Sequence, residues 1–168
     1  MTMPIPTGDG AVVVRAAEAE TIGHPAFVST RLLVDASDVH DAHLSTVWTA
    51  LADGVDGAKP HHHAHRSELF YVIDGEIDVL AGDAIVRAAK GDVLVVPPGM
   101  AHAFGAVPGS TAELLIVLAP GIDRFEYFRT LERIAYGTVP AESLLDQQER
   151  YDTWFLESAP WQHARATT

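Results

Sequence analysis

The chain has 168 residues, 23 of them acidic and 11 basic, for a formal net charge of -12 with histidine neutral. That length suits one domain with a full core rather than two, and the charge repels a phosphate backbone or an anionic membrane, which argues against nucleic-acid and membrane partners. Cysteine is absent, so disulfides, thiolate ligands and thiol nucleophiles drop out together and any metal must be held by nitrogen and oxygen.

Residues 1–10 combine two prolines, two glycines and small polar residues and read as a flexible tail. They carry neither the basic patch nor the apolar run of a signal peptide, and no later stretch approaches membrane-spanning length. The expected location is cytoplasmic. From residue 11 to 120 short apolar or alternating runs recur, among them VVVR, FVSTRLLV, LSTVWTAL, LFYVI, EIDVLAG, AIVRAA, DVLVVP, HAFGAV and AELLIVLAP, each ended by Gly, Pro or Asp. This spacing predicts an all-β fold, an antiparallel sandwich or barrel. Asp74-Gly75 and Ala81-Gly82-Asp83 place glycine where a tight hairpin needs positive φ. Pro97-Pro98-Gly99 cannot continue a central strand and predicts a rigid turn from which His102 emerges. Beyond Pro120-Gly121 the spacing of Phe125, Phe128, Leu131, Ile134 and Ala135 predicts a helix, and Ala141 to Trp154 a second helical segment. Residues 121–168 thus form a helical extension expected to pack outside the barrel.

Nine histidines are more than this length needs, and their clustering is informative. On a strand, residues i and i+2 share a face, so His61 and His63 can converge on one point inside a barrel while His62 points away. Glu68 opens the next strand on the same inward face as Phe70 and Val72, and a turn can bring its carboxylate beside the histidines. A frame shift would substitute His63 and His65 for the first pair. The tight turn before His102 delivers a further imidazole. Imidazole and carboxylate donors suit Fe, Mn, Ni, Co or Zn better than Mg or Ca. His24, His40, His43 and His163 read as surface or hydrogen-bonded residues.

At these positions the sequence resembles the cupin superfamily, whose motifs read G-x5-H-x-H-x4-E-x6-G and G-x5-P-x-G-x2-H-x3-N. The fit is complete from His61 to Gly75 and from Gly91 to His102, with fifteen residues, Glu76 to Lys90, between the motifs. Three residues separate Gly57 from His61 where the pattern has five, Gly54 restores the distance only approximately, and Ala106 stands where the pattern has asparagine. The spacing of the family motif selects His61 and His63 over the shifted pair. The resemblance implies a cupin (jelly-roll) β-barrel over residues 11–120 holding one divalent transition metal, Fe(II) first among the candidates, on His61, His63, Glu68 and His102. The C-terminal tail looks like the helical extension of single-domain, quercetin-dioxygenase-like cupins.

The activity this implies is a metal-dependent dioxygenase acting on a small apolar or aromatic oxygenated molecule. Substrate and dioxygen would share the open coordination positions, and Glu68, by analogy with flavonol-cleaving cupins, would accept the substrate's proton. The alternatives are a non-redox isomerase, cyclase or lyase using the metal as a Lewis acid, and a non-catalytic ligand-binding barrel. Phe70, Val72, Met100, Phe104 and Trp48 are the expected substrate-pocket residues. Single-domain cupins usually pair, so a homodimer is expected.

Overall fold

The structure is a computed structural model that describes the backbone of residues 5–7 and all of residues 10–39 and 43–166. Most of the expected tail, and His40, lie outside the described residues. Within the tail, the backbone of Ile5–Thr7 (β1) pairs with Ala11–Val13 (β2) as a two-stranded ribbon.

Ten further strands form one curled antiparallel sheet. They are Thr21–Gly23 (β3), Val28–Val34 (β4), Ser45–Leu51 (β5), Asp56–His62 (β6), Ser67–Ala81 (β7), Ala84–Ala89 (β8), Val93–Val96 (β9), His102–Ala106 (β10), Ala112–Ala119 (β11) and Trp154–Phe155 (β12). The curl is made in β7, whose first half lies between β11 and β9 and whose second half lies between β10 and β8. Two sheet faces are thereby folded over one core, the jelly-roll arrangement expected.

The bend corrects one expectation. Asp74-Gly75 is not a hairpin, because β7 runs straight through it, and the register against β11 slips at this point. Gly75 has φ 75°, and a side chain there would run into the Thr111 carbonyl oxygen. A bulge with a glycine re-aims the strand from one sheet to the other without reversing it. Gly82-Asp83, by contrast, is a two-residue hairpin, with Ala81 paired to Ala84 and Gly82 at φ 65°.

Alternation sets the core. Val47, Thr49 and Leu51 of β5, Glu68, Phe70 and Val72 of β7, and Leu114, Ile116 and Leu118 of β11 are all buried. Phe125–Ala135 (α1) follows the barrel and packs Phe125 and Phe128 against this core.

The second expected helix is different in form. Ala141–Gln147 is 3-10 helix and Gln148–Tyr151 (α2) a single turn. Asp152 then adopts a left-handed conformation, φ 48°, which ends the turn, and the chain extends into β12 instead of remaining helical to Trp154. Trp154 and Phe155 pair with His62 and His61 at the edge of β6, so the extension adds a strand to the sheet before the last helix, Ala159–Ala166 (α3). Among the described residues no helix is long and apolar enough to cross a membrane.

Candidate metal centre

Three strands and one turn bring the cluster together. His61 stands near the end of β6, opposite both His102 of β10 and Phe155 of β12. His63 lies just past β6, where the Gly99 N–H donates to its carbonyl at 2.7 Å, so the proline-glycine turn that delivers His102 also fixes His63. Glu68 enters from β7, on the same face as Phe70. One donor atom from each of His61, His63, Glu68 and His102 lies within 4.8 Å of the others. All four residues are buried, between 1% and 6% exposed. His65 is exposed and takes no part in the cluster.

The hydrogen bonds set the ring orientations. Each Nδ1 lies against a backbone carbonyl: His61 against Lys59 at 2.7 Å, His63 against Asp152 at 2.6 Å and His102 against Met100 at 2.9 Å. A ring nitrogen facing a carbonyl must carry the proton, so a neutral imidazole then holds an unprotonated Nε2 for a ligand. The His102 and His63 Nε2 atoms lie 2.9 and 3.5 Å from Glu68 Oε2, and His63 Nε2 is buried without a hydrogen-bond partner. Buried lone pairs gathered around a carboxylate oxygen repel unless a cation stands among them, and burying several imidazoliums together is the costlier way to supply one. Nδ1 held by a carbonyl and Nε2 left free is also the usual outer support of a metal-ligating histidine. The residues fit a divalent transition metal.

The protonation state of His61 agrees. Burial, aided by the charges His102 and His63 would carry, holds the His61 imidazole neutral to well below the usual histidine range.

The expected pocket residues divide. Phe70 and Phe104 are buried with ring centroids 5.1 Å apart, and Phe70 meets His102 nearly edge-on at 6.4 Å. Val72 is buried in the same core, and Met100 packs against it half-buried. Trp48 is on the opposite face of β5 from Val47 and Thr49, with the Arg31 guanidinium 4.3 Å from its ring centre. It is excluded from the barrel interior because strand alternation puts it outside. A cleft of about 460 Å³ between the N-terminal segment and α1, lined in part by Val13, Asp35, Phe125 and Arg129, does not touch the cluster. Two of its lining charges are already engaged, Arg129 by Glu20 and Asp35 by the N–H groups of Arg124 and Phe125.

Two residues from the C-terminal extension reach the centre, and sequence reasoning missed both. The Asp152 carboxylate accepts from the N–H groups of Ala64 and His65 and from Arg66 Nη1, at 2.8 to 3.0 Å, while its carbonyl orients His63. It clamps the β6–β7 turn from 86 to 88 positions away in the chain, and nothing local announces it. Arg124, buried at the start of α1, places Nη1 3.5 Å from Glu68 Oε1. An arginine at the positive end of a helix opposes the helix dipole, a signal visible only once the helix start is known.

The cupin domain family matches residues 47–118, a span that contains all four cluster residues. An uncharacterized protein of Streptomyces coelicolor is 30% identical over 69 residues, 41% of this chain and 62% of the relative, so the chain spans somewhat under two thirds of that curated relative's length. A predicted oxalate decarboxylase from Thermotoga maritima superposes with a TM-score of 0.57 at 21% identity, covering 64% of this chain and 97% of that one. The Streptomyces nucleoside dehydratase Pac13 does so with a TM-score of 0.52 at 16% identity, covering 66% and 82%. At such identities the two structures show the fold alone. Fold and cluster define a β-barrel built around a possible four-residue metal site. Residues 47–118 are similar to the cupin domain family, and the fold agrees with that match.

Proposed function

We propose that the protein is a metal-dependent enzyme and, more finely, a quercetin-dioxygenase-like cupin that inserts both atoms of dioxygen into a small apolar or aromatic molecule bearing an ionisable oxygen. The observation that carries this is the set of three imidazoles, each with Nδ1 held by a carbonyl, converging with Glu68 in an interior lined by Phe70 and Phe104. A metal bound by His61, His63, Glu68 and His102 would supply Lewis acidity and, as Fe(II), the redox chemistry that dioxygen needs.

The chain's own residues define the rest. Glu68, its Oε2 toward the histidines, is the carboxylate placed to take the proton of a substrate hydroxyl or enol. Arg124 beside Oε1 holds the carboxylate in place while Oε2 faces the histidines. Phe70 and Phe104 keep the interior apolar and exclude water. Metal analysis of protein purified without added metal, followed by oxygen-electrode assays, tests the reading: oxygen uptake should require metal and substrate together. Turnover that proceeds unchanged without oxygen overturns the dioxygenase form.

We further infer a homodimer, in the cytoplasm, formed through the outer sheet face. There Val93, Tyr71, Leu115 and Trp48 stand in register across four strands, followed by Val95, Leu69 and Val117. Val93 and Val95 are 58% and 56% exposed, an apolar stripe of the kind a second copy covers.

A further inference from the structure

Arg124 is a buried cation with its best donors unused. Its side chain is 7% exposed, and its one acceptor among the described residues, Glu68 Oε1, is 3.5 Å from Nη1, long for a charge-assisted hydrogen bond. Nε and Nη2 are buried with no partner. These two nitrogens form the parallel, side-on donor pair of a guanidinium, the pair that matches the two oxygens of a carboxylate. The group is held in place, with Cζ 5.0 Å from the Phe128 ring centre and its own backbone N–H tied to Asp35 at 2.7 Å. An unmet buried guanidinium is costly, and folded proteins pair such donors.

Glu68 links this cation to the cluster, Oε1 toward Arg124 and Oε2 toward His102. With a divalent ion in the cluster, two positive centres would flank one carboxylate, leaving the site with a net positive charge inside a chain of net charge -12. Such a site selects an anion.

We propose that Arg124 is the anion-recognition residue of the centre, and that the substrate is a small carboxylic acid with an apolar or aromatic body, its carboxylate received by Nε and Nη2. This rests on the metal-dependent reading above and narrows its substrate class. Arg124 therefore fixes which molecules enter, while the cluster residues carry the reaction.

Benzoate and its uncharged, similarly shaped analogue benzamide are suitable probes. Calorimetric titration of the full chain, with and without stoichiometric Zn(II), should show benzoate binding at least about tenfold more tightly than benzamide to the loaded protein. With Zn(II) in excess so that every protein is loaded, Arg124→Gln should abolish that preference, and Arg124→Lys should restore part of it. Equal binding of benzoate and benzamide by the metal-loaded wild type overturns the anion site, and that comparison needs no variant to fold. So does an Arg124→Gln protein that keeps the full preference. Failure of the wild type to take up Zn(II) overturns instead the metal centre, and is read in the same experiment.

Discussion

The barrel and the C-terminal extension contribute to one site by different rules. The barrel supplies its ligands locally: His61 and His63 are two positions apart, Glu68 follows five later, and His102 leaves a proline-glycine turn. The extension contributes from far along the chain. Asp152 reaches back to the β6–β7 turn, and Arg124 sits 56 positions from Glu68. What the contrast teaches is that ligand identity is written in a short stretch of sequence, while ligand orientation and the charge around it come from elements added outside the barrel.

The largest expected effect breaks the barrel's share. His102→Ala removes one of three imidazoles and leaves Glu68 without its 2.9 Å partner. Bound metal, measured by mass spectrometry, should fall from about one per chain to under about a tenth, because losing one of four ligands costs most of the affinity. Circular dichroism should show the sheet intact. Metal retained at full stoichiometry in this variant would place it somewhere other than the cluster.

Next comes the extension's share. Asp152→Ala strands Arg66 Nη1 and two backbone N–H groups, and it puts alanine in a left-handed conformation. Removing one partner of a buried ion pair costs about 3 kcal/mol, so denaturant unfolding should move by roughly that amount. Metal affinity should drop about 10- to 100-fold, as it does when the outer support of a ligating histidine is disturbed. Asp152→Asn keeps the shape, one oxygen acceptor and the tolerance of positive φ, and should recover much of both. An affinity unchanged in Asp152→Ala would show that the Asp152 clamp supports the fold and not the centre.

This division explains what could be read in advance. The strands of the barrel, its hairpin at Gly82-Asp83 and the inward face shared by Glu68, Phe70 and Val72 follow from alternation and turn chemistry, which are properties of neighbouring residues. Gly75 misled because a positive-φ glycine serves a bulge as readily as a hairpin, and only the close approach of Thr111 decides between them. Trp48 misled for a related reason. Its apolar character suited a pocket, but its register assigns it to the outer face, beside Leu115 and Arg31. The segment from Ala141 to Trp154 looked helical by composition, and its final residues became β12 because pairing with β6 outweighed local preference. Tertiary contacts of this kind leave no periodic trace.

The outer face offers a third test, independent of the centre. Val93→Lys with Val95→Lys puts two charges into the exposed apolar stripe without touching an inward-facing residue. Light scattering should show the mass of a dimer for the wild type and of a monomer for the double variant, with metal content unchanged. A wild type that is monomeric at high concentration removes the dimer reading and leaves the contrast between barrel and extension standing.

The smallest effect concerns how α1 is held against the N-terminal segment. Glu20 and Arg129 pair at 2.7 Å across 109 positions of sequence, with their side chains 40% and 24% exposed. The hydrogen bond from Arg129 lowers the Glu20 pKa below its ordinary 4.5 despite partial burial. A carboxylate whose pKa is depressed on folding contributes stability above its unfolded value, and that contribution is lost as pH falls through the folded value. Glu20→Gln should therefore be less stable than the wild type at pH 7, and the gap should close as the solution is made more acidic than pH 4.5. Exposure and salt limit the size to about 0.5 kcal/mol. Because this pair holds the outside of α1 while Arg124 points inward from its start, the variant should leave the benzoate preference untouched, which separates anchoring of the helix from recognition by the arginine that precedes it.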